Sequence, residues 1–322
     1  MSKKVLILRL SALGDVAMTL PVIYSVARQF PDVEFTLLTR PFFRRLFINA
    51  PANLRFEDFA DPSFSGLLKT IARLRAEKFS DVADLHDMLR TRLIRRSVGA
   101  GRVAVVDKAR SRRKELTRHK SRTYQPSYIE RYRRVFAALG LPAELTFTSL
   151  FGHDADRGRS GVGIAPFARY QTKTYPPELM EQVARLLTDR NIPVYLFGAR
   201  GAEAGELARW AERNPALNVL AGTLTLEEEL ERMSRLRLMV SMDSANMHLA
   251  SLVATPVVSI WGSTIPQCGF MGYRQNPANA IWLDLPCQPC SVAGLPECPL
   301  GTCACLRDLS PQTVASKIIT NY

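Results

Sequence analysis

Apolar residues recur along this chain with two alternating periods. Val5-Leu6-Ile7-Leu8 is a short continuous apolar run, the pattern of a strand covered on both faces. Past Gly14-Asp15, the residues Val16, Leu20, Ile23, Val26 and Ala27 form an approximate helical stripe that ends before Phe30-Pro31. The order repeats, with strands expected at 33–38, 54–59, 81–85 and 102–106 and helices near 42–48, 64–78 and 88–97. Residues 107–125 break the rhythm, and a helix is expected at 128–139. Turn formers and polar residues then gather from Gly140 to Gly161, a composition that marks a boundary. Beyond it the alternation restarts, with strands expected at 162–165, 193–197, 218–220, 238–241 and 257–261. Helices are expected between them at 178–190, 202–213 and 226–235 and from Ser244.

Strand-then-helix alternation predicts parallel sheets joined by right-handed crossovers. The expected fold class is therefore α/β, with two doubly wound Rossmann-like halves, residues 1–150 and 151–322, and no close repeat between them. A length of 322 residues, about twice a typical domain, agrees with that division. Ligands of open parallel sheets bind beyond the carboxyl ends of the strands, so two such halves facing each other predict a cleft that holds the chemistry.

Composition narrows the class without changing it. With 47% hydrophobic and 23% charged residues, 18 Gly and 20 Pro, the chain is neither disordered, collagenous nor coiled-coil. Its apolar runs fall short of the ~18 residues that cross a bilayer. The opening Met-Ser-Lys-Lys imitates a secretion signal for a few residues, but Arg9 and Asp15 interrupt it, so a cytoplasmic location is expected. The net charge of +13 is lopsided: residues 1–150 carry 28 Lys/Arg against 14 Asp/Glu, and residues 151–322 carry 15 against 16. Much of the excess is an arm at 107–122, where Lys108, Arg110, Arg112, Arg113, Lys114, Arg118, Lys120 and Arg122 face only Asp107 and Glu115. A basic half predicts an anionic partner: nucleic acid, an acidic glycan or a phospholipid surface. A solvated loop is the plainer reading of the arm.

Several positions carry candidate chemistry. Asp15, after the first strand and at the start of a helix, is either a helix cap or a general base. Asp243-Ser244-Ala-Asn-Met-His248 follows an apolar strand, where a capped helix start offers free amides to an anion; an ordinary capped helix with a packed histidine fits the same letters. His86 follows the strand at 81–85 and is either packed or in reach of a substrate. Cys287, Cys290, Cys298, Cys303 and Cys305 crowd into 19 residues, apart from Cys268. Their spacing allows a tetrahedral zinc, reduced structural thiols or redox-formed disulfides. Asp154-Ala-Asp156 falls in the expected linker and reads as solvated surface.

Taken together, the motifs Arg9-Leu-Ser-Ala-Leu-Gly-Asp15 with Thr19-Leu-Pro21, Asp243-Ser-Ala-Asn-Met-His248-Leu-Ala250 and Trp261-Gly-Ser-Thr264 resemble the heptosyltransferases, glycosyltransferase family 9. Ala165-Pro166, Lys173-Thr-Tyr-Pro176, Phe197-Gly198 and the closing cysteine segment extend the resemblance along nearly the whole chain. It implies a GT-B fold, with acceptor bound by the first domain and nucleotide sugar by the second. It further implies inverting transfer from ADP-heptose to a lipid-linked lipopolysaccharide-type acceptor, with no cofactor required. Asp15 matches the catalytic carboxylate, and Lys173 matches a lysine that meets the donor diphosphate. Gly14, Asp243, Ser244, Ala245 and His248 match donor-binding positions, Ser244-Ala245 standing where the family usually has Thr-Gly.

On this reading His86, Arg112, Arg113, Lys114, Arg118 and Lys120 are acceptor candidates, and the basic half rests against the inner membrane surface. Inverting transfer needs one base for the acceptor hydroxyl and positive charge for the departing diphosphate. Three alternatives stay open. One is a GT-B enzyme with another sugar or acceptor. A nucleic-acid-binding protein with a cysteine knuckle lacks stacking aromatics, since the arm holds only Tyr124. A dinucleotide oxidoreductase lacks G-x-G-x-x-G after the first strand.

Overall fold

The computed structural model describes residues 3–118, 122–152 and 158–322. The chain forms two compact units, one of Met1–Lys108 with Tyr128–Leu150 and the other of Ala109–Ser127 with Phe151–Tyr322.

The first unit is built on five parallel strands, β1 (Lys4–Leu8), β2 (Glu34–Thr39), β3 (Leu54–Asp58), β4 (Asp81–Asp84) and β5 (Arg102–Val105). Their order is β3-β2-β1-β4-β5. Val5 to Leu8 are wholly buried because β1 lies at the centre, between β2 and β4, with helices on the faces. Those helices are α1 (Leu13–Gln29), α2 (Pro41–Arg44), α3 (Phe64–Ala76) and α4 (Leu89–Ser97). Leu67 and Leu74 of α3 and Ile94 of α4 close a core on Leu6, Leu8 and Val82. The helix expected at 42–48 is limited to one turn.

The second unit carries six strands, β6 (Val162–Ala165), β7 (Val194–Leu196), β8 (Leu217–Val219), β9 (Leu238–Met242), β10 (Val257–Ile260) and the short β11 (Ala280–Ile281), ordered β11-β10-β9-β6-β7-β8 and all parallel. Between β5 and β6 come α5 (Arg110–Thr117) and α6 (Tyr128–Ala138). Later helices are α7 (Pro177–Thr188), α8 (Ala202–Arg213), α9 (Leu226–Ser234), α10 (Ala245–Leu252), α11 (Ala304–Arg307) and α12 (Pro311–Asn321). Met180, Val183, Ala184 and Leu187 of α7 repeat at helical spacing and face the core, where Val314, Ala315 and Ile318 of α12 join them. Nothing in the hydrophobic pattern flagged α12, yet its start is legible: Ser310 accepts the Thr313 amide at 3.1 Å and Pro311 opens the first turn.

One segment departs from the expected division. The arm, expected with the acceptor half, packs with the second unit, where its Leu116 is buried beside Ile265 and Cys268. The Gln125 amide donates to the Gln267 carbonyl at 2.9 Å. Counted by these units, the first carries 21 Lys/Arg against 13 Asp/Glu and the second 22 against 17, so both are basic. Among the described residues, no helix is long and apolar enough to cross a membrane. Lys120 and Asp154-Ala-Asp156 lie outside the described residues.

Candidate active site

In the first unit a buried arginine, Arg9, follows β1, and the first turn of α1 carries a carboxylate, Asp15. The Asp15 side chain is about one-third exposed, and its Oδ2 accepts from the Ala12 amide at 3.3 Å and pairs with the Arg9 guanidinium at 2.8 Å. Capping and positioning are thus carried by one oxygen. Oδ1 takes no hydrogen bond from the described residues, which leaves it able to accept a proton from outside. Arg9 is nearly inaccessible and donates to the Leu85 carbonyl at 2.6 Å and the Tyr132 hydroxyl at 3.1 Å, its guanidinium lying over the Tyr132 ring. In the sequence Arg9 stands out only as part of a motif, because two of its partners, Leu85 after β4 and Tyr132 on α6, are far along the chain. Gly14 sits beside Asp15 in the first turn of α1.

His86 stands after β4, close enough to Arg9, Lys108, Asp15 and Arg40 to feel their charges. Burial, then Arg9 and Lys108, push its imidazolium down to about 3, so the ring is neutral near pH 7. The turn that presents it is organised by buried Asp84, which accepts from the His86 and Asp87 amides at 2.9 and 2.8 Å and from Arg95 at 2.6 Å. The arginine near His86 in sequence, Arg90, instead donates to the Pro62 carbonyl. Structure thereby brings Arg9 and Asp15, which follow β1, together with His86, which follows β4, on two neighbouring connections of one sheet edge.

In the second unit the roles of charge are exchanged. Asp243, at the end of β9, is buried, and its Oδ2 accepts from the Thr264 hydroxyl at 2.7 Å and pairs with the Lys173 ammonium at 2.9 Å. Lys173 is 14% exposed. Ser244 is the N-cap of α10 but leaves the cap unfilled by its side chain, its hydroxyl lying 3.2 Å from that of Ser241. The amides opening α10 at Ala245 therefore keep their donors for another acceptor. His248 is buried one turn further along.

The loop bearing Lys173 is held by the cysteine segment and by the turn after β10. The Thr172 hydroxyl donates to the Leu295 carbonyl at 2.7 Å, and the Ser263 amide donates to the Thr172 carbonyl at 2.9 Å. Gly294, with φ +97°, packs so closely on the Lys173 stem that a Cβ there would stand 2.6 Å from Cδ.

Arg112, Lys114 and Arg118 are exposed on or just after α5, whereas Arg113 is half-buried on the side of Leu116. The buried Cys268 thiol, pushed up to about 11 by burial, is acted on also by Asp243, Arg113 and Lys173. Asp243, Arg113 and Lys173, all of the second unit, are thus near enough to act on the same thiol.

The zinc expectation is not met by the cysteines as they stand. All are free thiols, and among the described residues no three of His, Cys, Asp and Glu are grouped to hold a metal ion. Cys290 Sγ turns to the Cys287 carbonyl at 3.0 Å, and Cys298 Sγ receives the Cys303 amide at 3.4 Å. Within this segment Cys305 is buried, and burial pushes its thiol up to about 12.

Known proteins are similar to this chain in sequence and, separately, in fold. Lipopolysaccharide heptosyltransferase 1 of Pseudomonas aeruginosa is 27% identical over 311 residues, covering 89% of this chain and 86% of that protein. Lipopolysaccharide heptosyltransferase 3 of Escherichia coli is 26% identical over 278 residues, covering 78% and 81%. The solved structure of E. coli heptosyltransferase WaaC with ADP superposes with a TM-score of 0.72 at 20% identity, covering 99% of this chain and all of that one, which shows the GT-B fold class. The profile of glycosyltransferase family 9 (heptosyltransferase) matches residues 67–300, more than half of the chain, and the chain belongs to that family of glycosyltransferases.

Proposed function

We propose that this enzyme transfers a heptose, with inversion, from ADP-heptose to a lipid-linked lipopolysaccharide-type acceptor at the cytoplasmic face of the membrane. The observation that carries the reading is the Asp15 carboxylate, anchored through Oδ2 to Arg9 and Ala12 with Oδ1 left open. Oδ1 takes the proton of the acceptor hydroxyl as its oxygen attacks C1 of the sugar, and the bond from C1 to the diphosphate oxygen breaks. Negative charge grows on that diphosphate, and Lys173 and the opening amides of α10 meet it.

Asp243 pairs with Lys173, so the pair by itself offers no net positive charge to a diphosphate. Arg113, whose charge acts on the same Cys268 thiol as that of Lys173, is assigned on this reading to the donor side rather than to the acceptor. With these cations in place the leaving group is stabilised without a metal. Ser244, Ala245 and His248 line the nucleotide side on this reading, and His86 remains in reach of the acceptor beside Asp15. The related lipopolysaccharide heptosyltransferases support heptose transfer, and ADP in the similar WaaC structure supports the adenine nucleotide.

The test is calorimetric titration with ADP, ADP-heptose and UDP-sugars, with and without EDTA, followed by turnover on a deacylated inner-core oligosaccharide. Metal-independent, ADP-selective binding and heptose transfer are expected. Preference for a uridine nucleotide would retain the fold and overturn the donor.

A further inference from the structure

The strand that delivers Asp15 has a basic or titratable residue on each side of its end. β1 lies between β2 and β4, and Leu8 is paired in register with Leu38 on one side and with Asp84 on the other. Arg40 and His86 each stand two residues past those partners, so they leave the sheet at the same height, one on either side of Arg9. Neighbouring strands lie ~4.8 Å apart, which puts the two connections on the order of 10 Å apart where they leave the sheet, with the Asp15 turn between them. Backbone bonds hold both sides: the Arg9 amide donates to the Leu38 carbonyl and the Leu85 amide to the Leu8 carbonyl, each at 3.1 Å. The charges of Arg9, Asp15 and Arg40 all reach the His86 ring.

The acids after β1, β3 and β4 are already matched. Asp15 pairs with Arg9 at 2.8 Å, Asp84 with Arg95 at 2.6 Å and Asp87 with Arg92 at 2.9 Å, and Asp58 faces Arg44 at 3.7 Å. Arg40 differs from these arginines. It is exposed, and among the described residues no carboxylate lies within ion-pair distance of its guanidinium. Pro41 opens α2 just beyond it and confines Arg40 to extended backbone, φ −76° and ψ 148°, so the side chain starts from a fixed turn. His86, half-buried and neutral near pH 7, brings one donor and one acceptor and no charge of its own. An acceptor that carries a negative charge near the attacked hydroxyl is repelled by the Asp15 carboxylate, and a cation beside Asp15 with its charge unmatched offsets that repulsion.

We propose that Arg40, with His86 across β1 from it, binds an oxyanion carried by the acceptor glycan, a carboxylate or a phosphate, and so brings the neighbouring hydroxyl to Asp15 Oδ1. The inference rests on the reading of Asp15 as the base for a glycan acceptor. It makes Arg40 a specificity residue and moves recognition of the acceptor's charge from the basic arm to the carboxyl edge of the first sheet.

Calorimetry and steady-state kinetics on the whole chain test it. The probes are a deacylated inner-core oligosaccharide, the same oligosaccharide with its carboxylates reduced to alcohols, and the same with its phosphates removed by phosphatase. The wild type is expected to bind the intact form at least about tenfold more tightly than one of the two neutralised forms, and which one tells carboxylate from phosphate. Arg40→Gln is expected to weaken binding of the intact form by about tenfold or more, to abolish its advantage over that neutralised form, and to raise KM rather than lower kcat. Arg40→Lys restores part of the preference, because it keeps the charge but not the planar pair of donors. Arg90→Gln, at an exposed arginine bonded to the Pro62 carbonyl, leaves the preference intact. A preference that survives Arg40→Gln overturns the inference, and so does a wild type that binds all three forms alike. Absence of transfer to every form by the wild type would instead overturn the functional reading, while the binding difference still decides the role of Arg40.

Discussion

The two half-sites use the same architecture with opposite electrostatics. At the end of β1 a buried cation, Arg9, holds a carboxylate that is one-third exposed; at the end of β9 a buried carboxylate, Asp243, holds a lysine that is 14% exposed. In each pair the inner member is fixed by further hydrogen bonds, from Arg9 to Leu85 and Tyr132 and to Asp243 from Thr264. The outer member faces the solvent with its bonding capacity partly unspent. A buried charge without its partner is costly, so each inner residue fixes the position of the outer one. The lesson is that a parallel sheet delivers a base or a cation to its carboxyl edge according to which member of an ion pair the strand buries.

The comparison is put at risk first at its outer members. Asp15→Asn is expected to lower kcat by about 10²–10⁴-fold while leaving the ADP dissociation constant as it was; a weakened ADP affinity would show that the two half-sites are not separable. Asp243→Ala removes the buried partner of Lys173 and is expected to destabilise the second unit by ~3–5 kcal/mol and to weaken ADP binding. Urea unfolding checks the first, and calorimetry checks the second. Gly294→Ala forces a side chain into a left-handed backbone and against the Lys173 stem. A cost of ~1–3 kcal/mol, with weaker ADP binding, is expected; unchanged ADP affinity would mean that the cysteine segment does not position Lys173.

Arg113→Ala should weaken ADP binding by about tenfold, as expected for loss of a charged hydrogen-bonding group, with Arg112→Ala silent. A raised KM for acceptor at unchanged ADP affinity would return the arm to the acceptor. The smallest effect concerns His86. Its folded value, about 3, lies below the 6.5 of an unfolded histidine, so the unfolded chain binds the proton that the folded one refuses. Stability is therefore lost as pH falls from 6.5 toward 3. His86→Gln should lose less in melting temperature between pH 7 and pH 4 than the wild type, and equal losses would place His86 outside the charged cluster of Arg9 and Lys108.

How far the letters carry differs from residue to residue. Asp15 and Asp243 were legible because each ends a strand-to-turn pattern that repeats within a few residues. Arg9 was visible as a letter but not as a partner, since Tyr132 lies 123 residues away. The arm was legible as basic, yet its neighbours in sequence pointed to the wrong unit: flanked by β5 and α6, it packs through Leu116 on Ile265 and Cys268. Cysteine spacing suggested a metal, whereas the backbone directs Cys290 and Cys298 to their own loop.

Alternating apolar periods, the glycine and carboxylate after β1, and the capped helix after β9 follow from local rules of burial and backbone geometry, which act over one turn or one strand. The side on which the arm lies, the exposed edge around Asp15 and the pairing of Lys173 with Asp243 depend on packing between distant segments. A side chain's role there is set by which partner burial leaves it, and burial is a property of the folded surface, not of the order of residues.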